Sequence, residues 1–126
     1  MKTIINTHKA PAPIGPYNQA VRFGNLLFTS GQIALDTETG ELVLDSIEKE
    51  TTVVMENLKA ILEEAGTSFK NVLKATIFIS DMDNFGKINA VYGSYFDEDT
   101  APARETVEVA RLPRDVNVEI SIIATI

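Results

Sequence analysis

Val116-Asn117-Val118-Glu119-Ile120-Ser121-Ile122-Ile123-Ala124-Thr125-Ile126 alternates side chains with a period of two, the pattern of a strand with a core on one side. One row holds Val116, Val118, Ile120, Ile122 and Ala124, and the other Asn117, Glu119, Ser121, Ile123 and Thr125. Immediately upstream, Arg104 to Ala110 reads as a second strand, joined through a turn at Pro113, Arg114 and Asp115. Its apolar row holds Val107 and Val109, with Glu105 and Arg111, while Arg104, Thr106 and Glu108 form the other. If both apolar rows face a helical layer, Arg104, Thr106 and Glu119 share the uncovered face, open to solvent or to another subunit.

The rest of the chain supplies that layer. Asp45 or Ser46 can cap a helix whose stripe is Ile47, Val54, Leu58, Ile61, Leu62 and Ala65, with Glu48 placed for a capping-box contact and Gly66 as the stop. Phe85, Ile88, Tyr92, Tyr95 and Phe96 make the stripe of a second helix, which the acidic run 97–99 ends. Val72 to Ser80 reads as a mostly buried strand. Gln19 to Phe23 and Leu26 to Ser30 flank Gly24-Asn25, a hairpin turn, and Lys2 to Asn6 is a short strand. Between them, Pro11, Pro13 and Pro16 impose an extended loop, and 36–45 carries turn chemistry. The expectation is one α/β (α+β) domain over 1–126: a two-layer sandwich, with a mixed sheet and two helices on one face.

Composition narrows the function. The 126 residues include 11 Lys and Arg against 18 Asp and Glu, a formal net charge of -7 that repels polyanions, so nucleic-acid and anionic-membrane binding are not expected. With no cysteine and the single histidine His8, disulfides, thiolate metal sites, thiol catalysis and paired-histidine chemistry lack their parts. No metal or cofactor is expected. No apolar run approaches a membrane span or a signal segment, which makes a cytoplasmic protein the expectation.

Three of the chain's four arginines, Arg104, Arg111 and Arg114, fall in one short window. Arg104 follows Ala101-Pro102-Ala103 into its strand, and its fork of N–H groups can hold a small carboxylate through two parallel bonds. The alternative is an internal ion pair with Glu108, Glu119 or an acidic loop. Glu119, set among apolar neighbours, is a carboxyl whose desolvation would raise its pKa toward proton-transfer use; a sheet-face salt bridge is the other reading. Gly31 would let a ligand approach the backbone, and Tyr17 could present a phenol there, though a bend and a core-capping ring suffice for each. Asn89 lies on the second helix, and His8 takes no role.

Ala12-Pro13-Ile14-Gly15-Pro16-Tyr17, Thr29-Ser30-Gly31-Gln32-Ile33, and Ala101-Pro102-Ala103-Arg104 through Val107-Glu108-Val109-Ala110-Arg111-Leu112-Pro113 resemble the YjgF/RidA family, and the match continues to Val118-Glu119-Ile120. The resemblance covers essentially the whole chain, with separated motifs in the right order. It implies a chorismate-mutase-like homotrimer, sheets inside and helices outside, with clefts between subunits. It also implies hydrolytic deamination of 2-iminobutanoate and 2-iminopropanoate to 2-oxo acids and ammonia, without a cofactor. Carried over by position, Arg104 binds the substrate carboxylate and Glu119 assists the attacking water. Tyr17, Ser30, Gly31 and Asn89 line the cleft, while Thr106 stands where some members have cysteine. Two rival readings are a trimeric small-carboxylate-binding module without turnover and, following another family label, a ribonuclease or translation inhibitor, against which the charge and the lone histidine argue.

Overall fold

A computed structural model describes residues 1–126. Its strands are β1 (Thr3–Ile5), β2 (Ala20–Phe23), β3 (Leu26–Thr29), β4 (Val72–Ile79), β5 (Ala103–Glu108) and β6 (Val118–Thr125), with helices α1 (Ile47–Glu64) and α2 (Phe85–Gly93). They form one six-stranded sheet in the order β1-β2-β3-β6-β4-β5. β4 and β5 run parallel, bridged by α2, and the other neighbours are antiparallel. The mixed sheet and its two packed helices agree with the α+β expectation.

Local chemistry explains the elements. Ser46 caps α1, its hydroxyl accepting from the Lys49 N–H at 3.0 Å, so of the two candidates serine does the work and Asp45 instead pairs with the Lys49 ammonium. The β2–β3 turn is tight because Gly24 takes a φ of 58°. α2 stops earlier than its apolar stripe suggests. At Gly93 the backbone tightens into three-residue bonds, and the Ser94 hydroxyl donates to the Val91 carbonyl at 2.6 Å. Tyr95 and Phe96 nevertheless reach the core from the turn, stacking around Phe69.

The helices bury the row Val118, Ile120, Ile122 and Ala124 of β6 with Val72, Ala75, Ile77 and Ile79 of β4. Register then carries the assignment to β5: Arg104 lies beside Ala75, Thr106 beside Ile77 and Glu108 beside Ile79. These three therefore stand on the helix side. Glu119 pairs with Phe78 on the opposite, open face. This corrects the expectation that Arg104, Thr106 and Glu119 share the uncovered face. The reason is that β5 is an edge strand covered on neither side by much: its apolar residue Val107 is 44% exposed and joins Phe78, Phe28 and Ile123 on the open face. Parity of hydrophobicity reports the core side only where a core is present.

One buried charge locks this arrangement. Glu50 of α1 has no solvent exposure. Its carboxylate accepts from the Asn117 backbone N–H at 2.8 Å, the Asn117 side-chain amide at 2.7 Å and the Val118 N–H at 3.3 Å. Asn117 in turn receives the Ser80 N–H at 3.1 Å, so the ends of β4 and β6 are tied to one helix side chain. Glu50→Ala orphans three buried donors at roughly 1–3 kcal/mol each, so a thermal melt is expected to show a fall on the order of 10 °C. Glu50→Gln, which turns an amide N–H toward those donors, is expected to restore little of it.

Candidate active site

The open-face carboxyl sits at a break in the sheet. β3 pairs Phe28 with Ile123, but the next pairing is Gln32 with Ile120, so four steps on one strand oppose three on the other. This is a bulge, and it leaves Ser30 and Gly31 out of the ladder. The Thr29 hydroxyl accepts the Ile122 N–H at 3.0 Å in place of a main-chain oxygen. Gln32 re-enters with paired backbone bonds to Ile120 at 2.8 and 3.1 Å. Glu119, next to Ile120, folds its side chain over Gly31. A Cβ built on Gly31 would lie 2.7 Å from Glu119 Cδ and 2.9 Å from Cγ. A side chain here would meet the carboxyl above it and no backbone strain, since φ at Gly31 lies outside the left-handed region.

Glu119 has no hydrogen-bonding or ion-pairing side chain, and burial raises its pKa above the ordinary carboxylate value. It lines a cavity of about 390 Å³ together with Tyr17, Ser30, Gly31, Ile14 and Pro113. Tyr17 is half exposed there. The Ser30 hydroxyl is engaged, donating to the Asn18 carbonyl at 2.6 Å. The proline-rich wall is held by Gln19, a buried side chain not singled out in the sequence. Its amide nitrogen donates to the carbonyls of Thr7, Ala10 and Pro11 at 3.0, 3.2 and 2.8 Å, and its oxygen accepts the Thr7 N–H at 2.6 Å. Asn57 of α1 does the same for the next segment, donating to the carbonyls of Ile33 and Leu35. Buried amides that serve loop carbonyls leave no spacing signal in a sequence.

Arg104 belongs to a second cavity of about 690 Å³ on the helix side, lined also by Asn89, Tyr92, Phe96, Glu98 and Pro102. Its Nη1 donates to Asn89 Oδ1 at 2.5 Å. Its guanidinium carbon lies 5.1 Å from the Tyr92 ring centroid and 5.6 Å from that of Phe85. No ion pair forms with Glu108, Glu119 or the acidic loop; the chain's ion pairs are Lys49–Asp45, Lys74–Glu105 and Arg111–Asp115. The Tyr92 hydroxyl and the Thr106 hydroxyl are both buried without a partner on this side. Burial pushes the Tyr92 phenol up, and the nearby Arg104 charge pulls part of that back.

The single chain thus brings Tyr17, Ser30, Gly31 and Glu119 together in one place and Asn89 and Arg104 in another, with Thr106 in the Arg104 row. Each half has a charged group that forms no ion pair, Glu119 in one and Arg104 in the other. Side chains able to hold a metal do not gather anywhere in the structure, and no helix is long and apolar enough to cross a membrane. Gly31→Ala is expected to fold with a Tm within a few degrees of the parent, because the flexible Glu119 side chain can yield. A crystal structure of the variant should show the Glu119 carboxyl displaced from the cavity.

Comparison with known proteins bears on this site. The family model described as Endoribonuclease L-PSP matches residues 7–126. A RutC family protein of Pyrococcus abyssi is 53% identical over 123 residues, covering 98% of this chain and 96% of that protein. A protein of Escherichia coli K12 with the provisional name reactive intermediate deaminase TdcF is 48% identical over 126 residues, covering 98% and 97%. Among solved structures, one from Thermotoga maritima described as an endoribonuclease superposes with a TM-score of 0.96 at 55% identity, covering 100% of this chain and 98% of that one. E. coli TdcF with bound serine superposes with a TM-score of 0.92 at 46% identity, covering 98% of each. With the family model spanning nearly all of the sequence and these relatives matching end to end, the chain belongs to the endoribonuclease L-PSP family, also called the YjgF/RidA family.

Proposed function

We propose that this protein hydrolyses small 2-imino acids, 2-iminobutanoate and 2-iminopropanoate, to 2-oxo acids and ammonia, in clefts formed between copies of the chain. The observation that carries this is Glu119: a carboxyl free of any cation, biased by burial toward holding a proton, and laid on a glycine that leaves a small ligand room beside it. A group of that kind suits taking a proton from water and returning one. The name of the TdcF relative and the bound serine in its structure point to small amino-acid-derived ligands.

In this reading Arg104 grips the carboxylate through the guanidinium edge that no acidic side chain occupies. Water attacks C2 of the protonated imine while Glu119 accepts its proton, giving a carbinolamine. The proton then passes from Glu119 to the nitrogen, the C–N bond breaks as the carbonyl forms, and the hydroxyl proton goes to the departing ammonia, which leaves as ammonium with Glu119 ionised again. The carbon is already electrophilic, so positioning and one proton carrier suffice. RNA cleavage finds little support: His8 is exposed and lines neither cavity.

The halves of the site lie on opposite faces of one sheet, which is why a second copy is part of the proposal. The open face carries Phe28 at 39% and Val107 at 44% exposure, Leu26 at 36%, and the half-buried Phe78 and Ile123. Register groups these into two apolar clusters, Leu26, Phe28 and Ile123 on one side and Phe78 and Val107 on the other, with Lys74, Thr76 and Ser121 between them; exposed apolar clusters rimmed by polar residues are what subunit interfaces cover. Packing three copies by this face into a homotrimer would bring one chain's Glu119 cavity toward the next chain's Arg104.

Four outcomes test the reading. With imine generated in situ by a threonine dehydratase, the protein should accelerate its loss over the spontaneous rate. Glu119→Gln or Arg104→Ala should lower kcat/KM by about 10²-fold; an unimpaired variant would sink the assignment. Because Glu119 must be ionised to accept a proton and its pKa is raised, activity should fall on acidification at a pH above the ordinary carboxyl range, a limb absent from the residual activity of Glu119→Gln. Phe28→Asp should convert the oligomer to monomers by light scattering and lose turnover with it.

A further inference from the structure

Arg104 of β5 and Arg111 of the β5–β6 connection are held in opposite ways. Arg111 spends its fork on Asp115, with Nε to Oδ1 at 2.6 Å and Nη2 to Oδ2 at 3.2 Å. Two parallel bonds of that kind occupy the edge through which a guanidinium recognises a carboxylate. Arg104 gives one N–H to a neutral amide, Asn89, and its guanidinium carbon lies over the rings of Tyr92 and Phe85. Ring contacts of this type hold a cation by the charge distribution of the π face and consume no N–H donor.

The three contacts come from one stripe of α2. Phe85, Asn89 and Tyr92 are four and three residues apart, the spacing that stacks side chains on one helix face. Tyr92 is a firm base, 4% exposed, packed against Phe96 with centroids 4.8 Å apart, and part of the core. A long arginine side chain on an exposed edge strand otherwise samples many rotamers, and freezing it costs binding free energy. We propose that Tyr92 and Phe85 are positioning residues that hold the Arg104 guanidinium over their rings, so that its N–H donors, which no acidic side chain occupies, are pre-aligned for the carboxylate of the ligand. The inference rests on the assignment of Arg104 as carboxylate anchor, and it adds that the aromatic face of α2, and not an acidic partner, sets that anchor's geometry.

The test measures 2-oxobutanoate binding by calorimetry, and imine turnover with KM and kcat separated, on the full chain. Tyr92→Leu and Phe85→Leu should each raise Kd and KM by about three- to tenfold with kcat changed less than twofold, and Tyr92→Phe should restore parental values because it returns the ring without the hydroxyl. In an Arg104→Ala background the same ring substitutions should have no further effect on binding. Phe85, only partly buried, carries the test if Tyr92→Leu does not fold. Unchanged Kd in Phe85→Leu, or a Tyr92→Phe variant that folds and binds as weakly as Tyr92→Leu, overturns the proposal while leaving imine hydrolysis standing. Parental binding of 2-oxobutanoate without imine turnover would retire the hydrolase reading and leave the ring effect on Kd intact. A parent protein that binds no small carboxylate overturns both.

Discussion

A carboxylate buried without solvent contact and without a cation is tolerable only if N–H groups surround it, and Glu50 meets that condition with three. Those donors come from Asn117, just before β6, and Val118, its first residue, and β6 lies between β3 and β4, joining the two halves of the sheet. Setting the height of β6 against α1 therefore sets which of its residues face the core and which face outward. Glu119, two residues past Asn117, owes its place on the open side to that anchorage. A polar contact at one end of a strand thus bears on where a second carboxyl, in a different environment, is presented.

The residues that could act chemically were legible because they are sparse. In a chain of four arginines, no cysteine and one histidine, Arg104 and Glu119 stand out by elimination and by setting. The hairpin at Gly24-Asn25, the cap at Ser46 and the alternating β6 were legible as well, each being a local rule with a local cause. What alternation did not reveal was the face of β5, because an edge strand with little cover lets a valine point away from the core. Glu50, Gln19 and Asn57 were equally hidden. Each satisfies backbone groups far away in sequence, and a helix glutamate or a strand-end glutamine reads as solvated surface until the fold supplies its partners. Tyr92 and Phe85 were visible as apolar helix positions, yet their use beneath a guanidinium depends on a tertiary register.

In the proposed reaction the two cavities would divide recognition from proton handling. The Arg104 side is backed by an aromatic cluster and carries a cation that no acidic side chain pairs. The Glu119 side is backed by a bulge and a loop tied down by buried amides, and it offers a movable carboxyl over a bare backbone. Separating opposite charges onto two faces prevents them from neutralising each other within a chain, which a shared face would invite, since a direct pair would fill the guanidinium fork and lower the carboxyl pKa.

The strand order has a kinetic meaning too. β6 is the last of the six strands along the chain and yet sits inside the sheet, third from the β5 edge and fourth from the β1 edge, with contacts such as Ile122 to Thr29 spanning 93 residues. Pairings that distant close large loops and form slowly. Until β6 inserts, the early hairpin and the later β4–α2–β5 unit have no common sheet, and the apolar rows meant for α1 stay available to other chains. Folding of this protein is accordingly a race between insertion of its final strand and association of half-made sheets.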